Sequence, residues 1–341
     1  PKTADLATTT PATYDLRYST AIITSGNFDS ATQATGEPSP SSTEGTVHTH
    51  KVSGLTANTT YYFAVKTNNG SATSTISNIR PITTLQAGGA SYTTLGFGSD
   101  TVSVDTTVAS SSSPYYIDRN FSINSGVTLT IEAGTVIKMN TSGASKGCNT
   151  TSLTCTITVN GALVMGSTTD PINAVVITSR DDDTYGGVVS TSDGTPTAGD
   201  WGRILAGSAT SNLDFDNSII RYGGLSDNMI AVQGSAQANI ASSTLEYSNT
   251  YGIAIAADAT QLTITDSTIQ NNANGIGVST LANLTVSGTT FTANRSGILI
   301  AAPGDSTNIS LTGNNFYANN TAGGNNSGVQ YGDTDLADAL D

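Results

Sequence analysis

Five aspartates stand close together near the middle of the chain, in Asp181-Asp-Asp-Thr-Tyr-Gly-Gly187, then Asp193-Gly194 and Gly199-Asp200. Hard cations take carboxylate and carbonyl oxygens, and interleaved glycines let the backbone turn to supply them. Asp181, Asp182, Asp183, Asp193 and Asp200 are therefore candidate ligands for a structural Ca2+, the one cofactor the chain suggests. Their spacing fits no EF-hand, and the competing reading is a solvated acidic loop. The two histidines, His48 and His50, are two apart on a strand-like stretch and share a face. Counted from Val52 that face points inward, which favours packing over metal binding. Cys148 and Cys155 are the only cysteines. They bracket a short polar interval and suit a local disulfide in an oxidising compartment, with a pair of free thiols as the alternative. Asn-x-Ser/Thr acceptors for glycosylation stand at Asn58, Asn69, Asn120, Asn140, Asn149, Asn283, Asn294, Asn308, Asn319 and Asn325.

The elements that must position these residues are announced by a repeat. Asn212-Leu-Asp-Phe-Asp-Asn-Ser-Ile-Ile-Arg-Tyr-Gly-Gly224 returns as Ala238–Gly252, as Leu262–Gly275, as Leu284–Gly297 and as Ile309–Asn320. Its apolar anchors Ile219, Leu245, Ile269, Phe291 and Phe316 recur at steps of 22 to 26 residues, a solenoid period. Each copy holds short alternating strands between Asn, Gly and Ser turns. One such coil cannot bury its apolar face alone, so the coils must stack with the anchors in an inward ladder. Leucine-rich repeats share this period, but their leucine ladder and helical segment are absent. The reading is an all-β chain built on a parallel β-helix over 102–320. Trp201, after Gly199-Asp200, should pack or cap the stack at a coil corner. Thr-rich strands around Leu129, Ile157 and Ile264 suggest outward Thr rows that can order water or bind a glycan, although strand propensity alone also explains them.

The first segment, 1–84, has another grammar. Tyr14–Ser19 and Gly45–Ser53 read as strands. Gly54-Leu-Thr-Ala-Asn-Thr-Thr-Tyr-Tyr-Phe-Ala-Val-Lys66 alternates after a turn, and Ser74–Thr84 reads as a final strand. This resembles the tyrosine corner and following strand of a fibronectin type III module. Ala57 stands where that family usually has Pro, and about two strands, one with a core Trp, are missing ahead of Tyr14. The resemblance implies an incomplete sandwich, its missing strands either supplied by another molecule or cut away from a longer chain, followed by a linker at 85–101. Phrases in the solenoid region, such as Gly126-Val-Thr-Leu-Thr-Ile-Glu-Ala-Gly-Thr-Val-Ile-Lys138 and Ile219-Ile-Arg-Tyr-Gly-Gly224, resemble bacterial surface proteins with right-handed parallel β-helix repeats. Residues 321–341 leave the repeat and read as a polar acidic tail. Pro1 reads as the start of a processed chain.

The net charge of −14 on 341 residues disfavours nucleic acid and anionic membrane surfaces, which need clustered Lys and Arg. Charged residues are only 11% of the chain, and this uncharged polar surface suits an extracellular or cell-surface protein. No apolar stretch is long enough to span a bilayer. Hydrolases and lyases on the β-helix fold need aspartates with a nearby His, or Ca2+ carboxylates beside an Arg or Lys base. Here both histidines lie outside the solenoid, and Arg119, Lys138, Lys146, Arg180, Arg203, Arg221 and Arg295 are scattered. No catalytic residue is assigned, and a sugar-cleaving enzyme is the least favoured of three readings. The first is a structural filament or stalk subunit, self-associating head to tail as a homopolymer. In it the missing sandwich strands come from a neighbour, through Val329-Gln-Tyr331 or Lys2–Thr10. The second is an adhesin or glycan-binding fragment.

Overall fold

The computed structural model describes residues 13–40, 48, 50–56, 59–84, 93–95, 100–141, 155–166, 173–189, 192–225, 227–256, 260–278, 283–300, 308–319, 328–331 and 334–335. The chain divides into two compact units, Pro1–Ala87 and Gly88–Asp341.

The second unit is a parallel β-solenoid whose strands, among the described residues, fall into three sheets of eight, nine and ten. One coil shows the plan. Thr244–Glu246 lies on the first face, Tyr251–Ala256 on the second and Gln261–Thr265 on the third, and Thr268–Gln270 returns to the first. Alternation makes the strand. In Gln261–Thr265 the two apolar residues Leu262 and Ile264 are buried while Gln261, Thr263 and Thr265 point outward. Parallel register then places like on like, with Ile240 beside Ile264 and Ile264 beside Val286. The interior of the coil stack is thus a continuous apolar spine. Each fully buried Leu or Ile in it contributes about 1.5–3 kcal/mol relative to exposure.

The expected inward ladder forms, with one correction. Its successive partners are Ile220, Leu245, Ile269, Phe291 and Phe316, and the last two rings stack with centroids 4.6 Å apart. Ile219 instead pairs with Thr244 and is half-buried, while Ile220 is fully buried. Two adjacent isoleucines cannot both face inward on a strand, and the period of two selects the second.

The chain turns sharply between the third and first faces. Asn217, Ser242, Asp266, Gly288 and Gly313 all adopt positive φ there. The next residue in each coil, Ser218, Ser243, Ser267, Thr289 or Asn314, is a ladder rung. Ser243 Oγ accepts the Ser218 N–H at 3.0 Å, Ser267 Oγ that of Ser243 at 3.1 Å, and Asn314 Oδ1 that of Thr289 at 3.0 Å. After the first face a second positive-φ corner follows at Tyr222, Tyr247, Asn271, Ala293 and Ala318. There Asn272, Asn294 and Asn319 each donate Nδ2 to a carbonyl of Leu245, Ile269 or Phe291, at 2.8–3.0 Å. Asn294 Oδ1 accepts the Asn272 N–H, and Asn319 Oδ1 that of Asn294. Each rung contributes about 1 kcal/mol net, and losing one partner in a buried rung costs about 1–3 kcal/mol.

The solenoid reaches beyond 102–320 at both ends. Thr93 and Thr94, inside the expected linker, already pair with Tyr115 and Tyr116. Val329–Tyr331, inside the expected acidic tail, pairs with Ile298–Ile300 on the second face, with Val329 buried. Thr334–Asp335 folds back antiparallel on it. A strand that already fills a sheet is not a spare donor, so the donor role expected of Val329–Tyr331 does not hold.

The described part of the first unit is one antiparallel sheet. Its strands are β1 (Thr13–Ser19), β2 (Thr32–Gln33), β3 (Thr60–Asn68) and β4 (Arg80–Thr83), in the order β2-β1-β3-β4. A second, facing sheet is not present among the described residues. Of the expected strand Gly45–Ser53, the described residues 48 and 50–53 are not in a strand, and the final strand is confined to Arg80–Thr83. Ile23, Phe28 and Ala64 form a small core on one side. Tyr18 packs against Tyr61 and Phe63. The Tyr61 hydroxyl accepts the N–H of Thr56 at 3.1 Å, closing the turn before β3.

The register of the ladder predicts unequal costs at adjacent residues. Ile220→Ala, like Leu245→Ala, should lower stability by about 2–5 kcal/mol in chemical denaturation. Ile219→Ala should cost well under half of that.

Candidate functional site

The densest group of ionisable side chains lies on the outside of the first face, under the segment Asp181–Val189. Parallel register brings Lys138 beside Thr178, and Arg221 beside Glu246 and then Gln270. Lys138 is fully buried, and its Nζ donates to the carbonyl oxygens of Asp182, at 2.8 Å, and Gly187. Gly186 passes so close above it that a Cβ there would meet Pro114 Cβ at 2.9 Å and Lys138 Cε at 3.3 Å. Asp182 accepts hydrogen bonds from the hydroxyls of Thr178 and Thr184 and lies 3.6 Å from Arg221 Nη1. Burial pushes the Lys138 pKa down, and Asp183, Asp182 and Asp181 only partly restore it.

Arg221 is the centre of the exposed side of this group. Its Nε lies 3.1 Å from Glu246 Oε1, but the N–H is not aimed at that oxygen and makes no hydrogen bond. Nη2 donates to Tyr222 Oη at 3.0 Å, and Gln270 Nε2 donates to Glu246 Oε2 at 2.7 Å. The guanidinium carbon sits 4.7 Å from the Tyr222 ring centroid and 5.3 Å from those of Tyr185 and Tyr247. Tyr222 and Tyr247 stack on one another with centroids 5.0 Å apart. Burial pulls the Arg221 pKa down, but Glu246 and Asp182 outweigh it, so the net shift is upward. Burial raises the Tyr185 and Tyr222 phenols. Charges are answered by charges, and ring faces by other rings or by Arg221. The arrangement is an ionic and aromatic clamp that seats Asp181–Val189 on the sheet.

The five aspartates proposed as Ca2+ ligands are spread among protein donors. Asp181 pairs with Arg180 at 3.1 Å, both nearly inaccessible. Asp183 accepts from Ser192 Oγ at 2.8 Å, Asp193 from the Thr195 N–H at 2.9 Å, and Asp200 from Ser179 Oγ at 2.6 Å. Among the described residues no three His, Cys, Asp or Glu side chains come together to hold a metal. His48 packs its ring edgewise on Tyr14, and His50 is half-buried with its Nε2 unbonded. Trp201 is fully buried in the spine and donates Nε1 to the Arg221 carbonyl at 2.8 Å. Its ring occupies the space beside Gly223, where a Cβ would meet Trp201 Cζ2 at 2.7 Å.

Cys155 is buried, with Sγ 3.8 Å from the Ile117 carbonyl oxygen; Cys148 lies outside the described residues. Asn58, Asn149 and Asn325 also lie outside them. Of the other glycosylation candidates, Asn140, Asn294 and Asn319 use their amides in buried or half-buried hydrogen bonds. Asn120 accepts the Thr156 N–H at 2.8 Å, and Asn69 caps its own turn at Ser71 and Ala72. Asn283 is half-buried and Asn308 exposed on the outer third face. A sugar on Nδ2 removes a donor and needs open space, so the rungs Asn294 and Asn319 are unsuitable as acceptors.

The sequence phrases that contain Lys138, Tyr185, Tyr222, Tyr247, Glu246 and Gln270 assign none of them a role in this group. The signal that finds Glu246 is positional: it occupies Arg221's place in the next coil.

Lys138 predicts a pH dependence with a definite sign. Between its depressed folded pKa and the ordinary lysine value, the unfolded chain holds the extra proton, so stability rises with pH across that window. Urea midpoints measured through that alkaline range should show the rise in the parent protein and its loss in Lys138→Met. Intact-mass measurement before and after reduction should show the Cys148–Cys155 disulfide; two alkylated thiols in unreduced protein would exclude it.

No curated protein and no solved structure matches the chain. Residues 202–316, which carry the most regular coils, match the family model described as "Right handed beta helix region". The chain is thus similar over that stretch to right-handed β-helices, a likeness that speaks for the fold and leaves the activity open.

Proposed function

We propose that this is an extracellular structural protein, a filament or surface-stalk subunit whose N-terminal unit joins it head to tail to a neighbour. The observation that carries the reading is the unbroken register of the solenoid. An apolar spine runs through the coils, and from Ser218 onward two side-chain ladders also tie each coil to the next, which makes for stiffness. The low charge density, and the closed pairing of Arg221 with Asp182 and Glu246 among the described residues, support a structural role over sugar cleavage.

The joining unit is proposed to be an incomplete fibronectin-like sandwich. The described sheet leaves Ile22 and Ile82 exposed, at 59% and 55%. One of its edges, β4, carries Pro81, which cannot donate to an added strand. Strand addition is therefore expected beside the two-residue strand β2, with Lys2–Thr10 of another subunit as donor. These donor residues lie outside the described residues. The second reading, an adhesin or glycan-binding fragment, is favoured by the uncharged strands of the outer third face from Gln237 onward. Electron microscopy of native material should show fibres, with sedimentation rising with concentration and falling to monomer when residues 2–10 are deleted. A monomer without fibres in the undeleted protein would remove the assembly reading.

A further inference from the structure

The last three described strands of the third face read Gln261–Thr265 QLTIT, Asn283–Ser287 NLTVS and Asn308–Thr312 NISLT. Every outward residue in them is Gln, Asn, Thr or Ser. Among the five described strands from Asn212 onward, negative charge appears on this face only in Asn212–Asp216, through Asp214 and Asp216. On a chain of net charge −14, this is a surface of neutral donors and acceptors.

These groups form an ordered array. Thr263, Thr285 and Ser310 are successive register partners, as are Gln261, Asn283 and Asn308. Parallel stacking spaces each row at about 4.8 Å, and alternate residues along one strand at about 6.6 Å. The hydroxyls of Thr263, Thr285 and Ser310 have no hydrogen-bond partner in the described protein, so their capacity is turned outward. Asn308 Nδ2 donates to Asn283 Oδ1 at 2.8 Å, which orients both amides and leaves one half of each available. The backbone beneath is fixed by the buried residues Leu262, Ile264, Leu284 and Val286. Little conformational freedom remains to be lost on binding.

We propose that this part of the third face binds an extended neutral polysaccharide lying across neighbouring coils. Amides and hydroxyls at fixed spacing can exchange hydrogen bonds with the hydroxyls of successive sugars. A polyanion is disfavoured by the chain's charge and by Asp214 and Asp216 on the same face. None of these strands places an aromatic ring on its outer side, so a single sugar gains little, and affinity accumulates only when several sugars engage adjacent coils together. The proposal gives the glycan-binding reading a location and a ligand class, and it holds whether or not the chain polymerises.

Affinity electrophoresis of the full chain in gels containing glucomannan, hydroxyethyl cellulose or dextran tests it, with polygalacturonate as the acidic comparison. At least one neutral polymer should retard the protein, and free glucose should not compete. Thr263→Glu with Thr285→Glu should weaken retardation at least tenfold. Thr268→Glu, on the first face of an adjoining coil, should leave it intact. Should the double variant melt earlier than the parent, the single exposed change Thr285→Lys carries the same expectation. Failure of all three neutral polymers, retardation by polygalacturonate alone, or equal loss in Thr268→Glu would overturn the proposal. Arrest of ice growth without polymer binding would also overturn it, by assigning the array to ordered water.

Discussion

A parallel coil has to turn its backbone sharply at every corner, and each turn takes peptide N–H and C=O groups out of the sheet ladder without exposing them to water. The solenoid depends on how these groups are satisfied. Ser243, Ser267 and Thr289 at one corner, and Asn272, Asn294 and Asn319 at the other, supply the missing partners from the neighbouring coil. Because each rung accepts from one coil and donates to a carbonyl of its own or an adjacent coil, the corners also set the register. The apolar spine follows from that register, since only correctly aligned coils place Leu245 over Ile269 and Ile269 over Phe291.

The same constraint explains what could be read in the chain. Apolar residues returning at solenoid spacing announced stacked coils, and the alternation in strands such as Leu262-Thr-Ile-Thr265 announced which side is inside. Ile219 and Ile220 show the limit of this reading. Both are apolar, and only the hydrogen-bonded register chooses between them. Composition also misled at the chain's last part. Val329-Gln-Tyr331 lacks the repeat's Asn and Thr phrase, yet it supplies what the second face needs, a buried Val in line with Ile298. The N-terminal unit was legible as far as its individual strands β1 and β3. Its wider arrangement depends on long-range pairing, which local alternation does not specify.

The charged clamp was hidden for a related reason. Arg221, Glu246 and Gln270 are far apart in sequence and belong to no motif, but they are consecutive rungs of one outward row. The acidic run 181–183 reads in sequence as a candidate Ca2+ site, and in the fold its carboxylates are engaged by protein donors. Folding separates their tasks. Asp181 answers Arg180, Asp182 fastens Thr178 and Thr184, and Asp183 holds Ser192. Burial of Lys138 under the same segment costs desolvation, which two backbone carbonyls and the surrounding carboxylates offset in part.

The three corners of a coil differ in their tolerance of insertion. From Ala241 onward only Ser242-Ser243, Asp266-Ser267, Gly288-Thr289 and Gly313-Asn314 join the third face to the first, whereas the same corner spans 132–135 and 166–174 in earlier coils. Between the first and second faces the joint ranges from the three residues 271–273 to the long segment 180–202. In the coils from Ala241 onward, divergence in chain length falls outside the two-residue joint. Mutations that lengthen a coil there can extend a loop without disturbing either ladder, whereas one added residue at the two-residue joint would invert every side chain that follows on its strand. Whole coils are the natural unit of gain and loss: copying one from corner to corner preserves both ladders and changes only the length of the rod.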